Sequence, residues 1–151
     1  MSDISRVTDA DLADLLPLLR AYCDFYEVGP SDEALLALSV ALIADPDREG
    51  IQLIARDDGG AAVGFATVYW AWGTLDATRI GIMNDLYVAP TARGSGLAVA
   101  LINACLAEAS RRGAGHLTWQ TAKDNFRAQR VYDRIGATRA EWVDYSLPVS
   151  S

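Results

Sequence analysis

The sequence predicts one α/β domain, of the α+β kind, with a mixed, mostly antiparallel sheet of about six to seven strands flanked by about four helices. Three observations carry that prediction. Strand-period and helix-period apolar patterns alternate along the whole 151-residue chain. Asp57-Asp58-Gly59-Gly60, set between two apolar runs, is a strong hairpin signal and pairs those runs antiparallel. At 84–98 a strand runs through a Gly-rich loop directly into a long amphipathic helix. With 51% hydrophobic residues, residues 1–151 make one domain with a sizeable core.

Residues 4–7 read as the first strand. Thr8 or Asp9 then caps a helix to about residue 26, where Leu12, Leu15, Leu16, Leu19, Tyr22 and Cys23 recur at helical spacing. Pro17 should kink or break it. Gly29-Pro30-Ser31 is a turn and cap for a helix over 32–44 that ends before Asp45-Pro46. Residues 51–56 and 62–72 are the arms of the hairpin, and 73–78 turns into a long strand, 79–88. A helix follows over 97–112, with Leu97, Leu101, Cys105 and Leu106 on its inner face and Gly113 as its C-cap. A strand at 116–121, a helix at 125–135 and a last strand at 137–147 complete the pattern, with no repeat or low-complexity segment.

Composition narrows the partners. No run of 18 apolar residues exists to span a membrane, and the N-terminus lacks a basic, apolar secretory segment, so a cytoplasmic protein is expected. Cys23 and Cys105 both fall in helical apolar patterns, which fits buried thiols better than a disulfide or a metal site. A net charge of −7 argues against nucleic acid and is compatible with a cationic ligand.

The chemistry is densest at Arg93-Gly94-Ser95-Gly96-Leu97-Ala98. Glycines at 94 and 96 tolerate positive φ and let backbone approach a ligand closely. The helix behind them opens with unpaired N–H groups and a partial positive charge, which together cradle an anion, most often a phosphate. Neither a G-x-x-x-x-G-K-[ST] loop nor a G-x-G-x-x-G fingerprint is present. By itself the pattern also describes an ordinary strand-to-helix loop.

Arg93-x-x-Gly96-x-Ala98 resembles the Q/R-x-x-G-x-G/A signature of the GCN5-related N-acetyltransferases, GNAT enzymes whose loop holds the pyrophosphate of acetyl-coenzyme A. About thirty residues on, Asn125-x-x-Ala128-x-x-x-Tyr132-x-x-x-Gly136-Ala137 resembles the second signature of the same family. The resemblance covers nearly the whole chain, most firmly 62–147, and is nearest to polyamine (diamine) N-acetyltransferases and small histone/polyamine acetyltransferase-like members. It implies two central parallel strands that splay apart around acetyl-coenzyme A. Leu86, Tyr87 and Val88 would then bind the pantetheine arm through backbone groups, and Arg93, Gly94, Ser95, Gly96, Leu97, Ala98 and Asn125 would contact the cofactor. Asn125 also suits an N-cap, and both roles can hold. No metal is implied, and a homodimer is expected.

Moving an acetyl group from a thioester to a primary amine needs a neutral amine, a stabilised carbonyl oxygen and a quenched thiolate. An alkylammonium of pKa ~10.4 costs about 4.6 kcal/mol to deprotonate at pH 7. Tyr132, carried over from the second signature, is the candidate partner for the thiolate; it also sits at helical spacing for core packing. The resemblance places a Glu-Asp pair where this chain has Asn84-Asp85. Asn84 cannot take a proton, and Asp85 is the nearest replacement base, although strand alternation points it to the opposite face unless a bulge intervenes. Tyr22, Asp24, Tyr26 and Glu27, with Tyr69, Trp70 and Trp72, are candidates to line a pocket for a small-molecule amine. The strand aromatics equally suit core packing or a dimer interface. A protein lysine or N-terminus is the alternative acceptor, and a non-catalytic acyl-coenzyme-A sensor is a third reading.

Overall fold

In the computed structural model, which describes residues 2–150, five strands form one sheet in chain order. These are β1 (Asp3–Arg6), β2 (Gly50–Arg56), β3 (Ala62–Gly73), β4 (Thr78–Val88) and β5 (Ala114–Thr118). β1 to β4 run antiparallel to their neighbours, and β5 joins β4 in parallel. Helices α1 (Leu12–Phe25), α2 (Asp32–Ala44) and α3 (Leu97–Arg111) belong to the same compact unit, which ends at Gln120. Helix α4 (Phe126–Arg134) belongs to a second unit that starts at Thr121. The mixed, mostly antiparallel sheet and the four helices are as expected, but the strand count is five.

The strand expected at 137–147 is absent. Residues 137–150 carry no regular secondary structure, and Trp142, Tyr145 and Leu147 are at least 81% exposed. Apolar alternation marks a face for burial, but a strand exists only where a neighbour takes its backbone hydrogen bonds. Pro17 does not break α1 either. The bond it cannot donate is to Ala13, in the helix's first turn, where little of the ladder is lost.

Alternation sorts β3 between the two faces of the sheet. Phe65 clusters with Val7, Leu15, Leu18, Leu19 and Ile54, so the odd-numbered residues Thr67 and Tyr69 face α1. A Cβ on Gly64 would meet Leu97 and Leu101 at 3.3 Å, so the even-numbered Val68 and Trp70 face α3. On α3, Leu97, Leu101, Ile102, Cys105, Glu108 and Ala109 are buried. Leu106 is not; one residue past Cys105, it lies 100° around the helix and is exposed. Burying each Leu or Ile contributes about 1.5–3 kcal/mol. Buried Glu108 ties α3 to β1 by accepting from Arg6 at 3.2 and 2.6 Å, and it pairs with Arg111 at 2.6 Å.

Helix α1 ends in a Schellman turn: the Glu27 N–H donates to Asp24 and the Val28 N–H to Cys23. Glu27 sits there at φ 58°, a conformation that favours glycine. The second unit ends α4 in the same way, with Gly136 at φ 86° and the Ala137 N–H donating to the Tyr132 carbonyl. Among the described residues no helix is long and apolar enough to cross a membrane.

Candidate active site

The site begins with a register irregularity. Along the β3–β4 ladder, Val68 pairs with Met83 and Thr67 pairs with Asp85, which leaves Asn84 as one extra residue on β4. That is a β-bulge, and it resets which face each later residue presents. Met83 stays on the α3 face opposite Val68, while Asp85 turns to the α1 face opposite Thr67. Strand alternation alone puts Asp85 beside Met83, in the apolar core. The bulge also brings Asn84 and Asp85 side chains together, with Asn84 Nδ2 donating to Asp85 Oδ1 at 3.0 Å.

Asp85 therefore sits half-buried among polar and aromatic groups on the α1 face. Asn84 donates to its carboxylate, and Thr67 across the ladder and Tyr22 on α1 also favour its charged form. Burial pushes the Asp85 carboxyl above the usual carboxylate range, outweighing these three polar neighbours, which favour its charged form. The Tyr22 hydroxyl also reaches the Asn84 carbonyl at 3.4 Å, and its ring lies 5.0 Å from Tyr26 and 6.4 Å from Tyr87. Burial, then the charge of Asp85, raises the Tyr22 hydroxyl far above its ordinary value. The same two causes push Tyr69 up to about 12. Both phenols stay neutral at any physiological pH. A base of raised pKa among neutral hydroxyls and aromatic faces can accept a proton from a cation and hold the cation while doing so.

Beside this cluster the sheet opens. β5 pairs with β4 only through Arg79, Gly81 and Ile82 among the described residues. Beyond Ile82, Leu86, Tyr87 and Val88 remain paired with Ala66, Phe65 and Gly64 on the β3 side, and no strand takes the other edge. The expected splay of two parallel strands is present. Arg93 Nε donates to the Val88 carbonyl at 3.1 Å, and Ser95 Oγ to the Ala92 carbonyl. Gly94 and Gly96 have φ of 79° and 83°, the left-handed backbone that glycine adopts freely. Gly96 is the N-cap of α3 and makes no side-chain cap, so the N–H groups opening the helix, from Leu97 and Ala98 onward, have no side-chain acceptor there. Arg93, Gly94, Ser95 and Gly96 are all exposed, at the mouth of that helix.

In the second unit Asn125 is the N-cap of α4, accepting from the Ala128 N–H at 3.2 Å, and Tyr132 is half-buried. Of the proposed acceptor residues, Tyr26 lies with Tyr22, and exposed Glu27 closes the turn beyond it. The two tryptophans do not join them. Trp70 is buried on the α3 face, donating to the Pro46 carbonyl at 2.9 Å with Arg112 over its ring. Trp72, two residues on, is exposed and stacks with Arg79 at 4.9 Å. Their neighbour Tyr69 has the parity that faces Asp85. Sequence reasoning missed Thr67 and Gln52, whose side chains hydrogen-bond to each other in the cross-strand row that ends at Asp85. The available signal was a polar residue inside each of two apolar strands.

Residues 15–137, spanning parts of both units, match the model of the Acetyltransferase (GNAT) family. An uncharacterised N-acetyltransferase of Bacillus subtilis is 31% identical over 134 residues, covering 89% of this chain and 88% of its own. An L-methionine sulfoximine/L-methionine sulfone acetyltransferase of Pseudomonas aeruginosa is 28% identical, covering 87% and 79%. The crystal structure of a ribosomal-protein-alanine N-acetyltransferase from Brucella melitensis superposes with a TM-score of 0.78 at 28% identity, covering 99% of this chain and 100% of that one. Open edge, uncapped Gly-rich helix start and family match agree: the chain belongs to the GNAT acetyltransferase family and is an N-acetyltransferase.

Proposed function

We propose that this protein transfers the acetyl group of acetyl-coenzyme A to the primary amine of a small cationic molecule, with Asp85 as the general base. The observation that carries the reading is the bulge at Asn84, which turns a half-buried carboxylate toward Tyr22, Thr67 and Tyr69 beside the open edge of β4. A carboxylate flanked by aromatic rings is a cation-binding set. The name of the Pseudomonas aeruginosa relative, which acts on an amino-acid analogue, supports an acceptor of that size.

The residues fit acetyl-coenzyme A, which supplies the activated acetyl thioester. The pyrophosphate fits the uncapped N–H groups of α3, with Gly94 and Gly96 allowing the approach and Arg93 and Ser95 at its rim. Leu86, Tyr87 and Val88 offer backbone groups on the open edge to the pantetheine amides. Asp85 takes the ammonium proton, against about 4.6 kcal/mol for an alkylamine at pH 7. Backbone N–H groups of the same edge stabilise the charge that develops on the carbonyl oxygen. The second-signature resemblance gives Tyr132 the departing thiolate. A phenol of pKa ~10 is a weaker acid than a thiol of pKa ~8.5, so Tyr132 holds that sulfur by a hydrogen bond. Tyr26 and Glu27 border the acceptor, and the exposed apolar segment around Trp142–Val149 favours a homodimer.

A second reading, acetylation of a protein N-terminus, draws on the printed name of the Brucella relative. Thiol release from acetyl-coenzyme A against polyamines, free amino acids, aminoglycosides, lysine peptides and peptides with N-terminal alanine separates the two. Turnover confined to small amines is expected; turnover confined to peptides overturns the proposal. Silence across the panel with coenzyme A still bound would favour a sensor.

A further inference from the structure

Gln52 and Thr67 stand directly opposite each other in the β2–β3 ladder, and Thr67 stands opposite Asp85 in the β3–β4 ladder. The three side chains form one row across three strands. Gln52 is 3% exposed and Thr67 fully buried, two polar side chains in a face otherwise given to Phe65, Ile54 and Leu15. Gln52 Nε2 donates to Thr67 Oγ1 at 3.2 Å, and Thr67 in turn stands against Asp85, the last member of the row.

The Thr67 oxygen accepts from Gln52, and a carboxylate only accepts, so the Thr67 hydroxyl proton is what this row can offer Asp85. Gln52 must then present its NH₂ group, which leaves its Oε1 buried with no hydrogen-bond partner among the described residues. With Gln52 on one side of the Thr67 oxygen, the hydroxyl has fewer directions left to it, and chained hydrogen bonds strengthen one another.

We propose that Gln52 and Thr67 are positioning residues for the acetyl-transfer reaction, a buried row that aims and steadies the Asp85 carboxylate oxygen that takes the amine proton. The inference rests on Asp85 being the base. In the step itself, the N–H bond of the ammonium breaks, its proton passes to the carboxylate oxygen, and the freed electron pair on nitrogen attacks the thioester carbonyl. The groups facing Asp85 are Tyr22 from α1, with Tyr26 behind it, Thr67 and Tyr69 from β3, and Asn84 from β4. With Tyr22 and Tyr69 both held neutral, Asp85 is the group in this set that titrates on the acid side.

The test is the acid limb of kcat against pH at saturating amine. Thr67→Val removes a donor that favours the charged carboxylate, so the limb should move up by about 0.5–1 pH unit. Thr67→Ser restores the hydroxyl and should return the limb to its natural position. Gln52→Met should move it in the same direction as Thr67→Val but by less, with KM for acetyl-coenzyme A unchanged. A limb that stays put in both Thr67→Val and Gln52→Met, while Asp85→Asn is inactive, overturns the row and leaves the base intact. Full activity of Asp85→Asn would overturn both readings. Should Thr67→Val not fold, Gln52→Met alone decides, since it leaves the Thr67 hydroxyl free to turn from Asp85.

Discussion

Asp85→Asn is the sharpest perturbation this site allows. The substitution keeps side-chain volume and leaves one oxygen facing Thr67, so fold and cofactor loop should survive. It removes the only carboxylate that the bulge brings to this face of β4. What it costs follows from the amine: an alkylammonium of pKa ~10.4 is about 3.4 units above pH 7, worth about 4.6 kcal/mol. A positioned general base recovers 10²–10⁴ in rate, or about 2.7–5.5 kcal/mol. We therefore expect kcat to fall by about that factor, with coenzyme A affinity unchanged within about twofold, since the loop at 93–98 is not touched. The pH profile gives a second readout. Burial raises the Asp85 carboxyl, so the acid limb of the natural enzyme should lie above the ordinary carboxylate range, with activity lost as pH falls through it. In the variant that limb should vanish, leaving a rate that climbs with the fraction of free amine. Steady-state thiol release from about pH 5 to 10 and calorimetric titration of coenzyme A measure both. A variant within about threefold of the natural turnover throughout would refute the assignment.

Three other outcomes are expected. Tyr132→Phe should lower kcat ten-fold or more with little change in coenzyme A affinity, about 1.4 kcal/mol or more of transition-state stabilisation; wild-type turnover would remove Tyr132 from the reaction. Glu27→Gly should raise stability by about 1 kcal/mol, measured by urea unfolding, because φ 58° strains a residue with a Cβ. Acid should destabilise the fold through Glu108 and Asp11. Burial pushes Glu108 up, but hydrogen bonds from Arg6 and Arg111 together hold it low, and the Arg56 hydrogen bond lowers Asp11. Values depressed in the folded state mean stability fully present above the unfolded value of about 4, and lost as pH falls through the folded one. The melting temperature should therefore drop below about pH 4, and Arg6→Met should flatten part of that drop; a drop of equal size in Arg6→Met would take Glu108 out of the account.

Much of this was legible before any coordinates. α2 spans the expected 32–44, because Ser31 is a true N-cap, accepting from the Ala34 N–H, and Asp45-Pro46 stops the helix. The loop glycines at 94 and 96 take the positive φ their type foretold, and Gly136 does the same at the end of α4. What stayed hidden depends on two strands at once. Whether Trp70 or Tyr69 faces Asp85 is a question of parity, set by what packs on each face of β3. Residues 137–147 have the composition of a strand and lack only a neighbour. Leu106 faces outward for a smaller reason, since an apolar residue beside Cys105 fits a helical repeat loosely whichever way it turns.

The bulge explains how the chain can carry Asn at 84 and still present a carboxylate on the α1 face. Asn84 is the residue the β3–β4 ladder leaves out, so the pairs on either side, Val68 with Met83 and Thr67 with Asp85, stay in register around it. One inserted residue thus changes the face of everything after it without shifting the sheet. Asp85 gains a polar neighbourhood, Tyr87 comes within 6.1 Å of Phe65 on the same face, and Leu86 and Val88 stay on the α3 side. The extra residue contributes as well: its amide steadies Asp85 at 3.0 Å and its carbonyl meets the Tyr22 hydroxyl. An amide suits that place better than a second carboxylate would. Two carboxylates side by side repel, and one is forced to hold a proton at neutral pH. Asn84 instead donates to the charged form of its neighbour, so the amide at 84 and the carboxylate at 85 are two parts of a single arrangement.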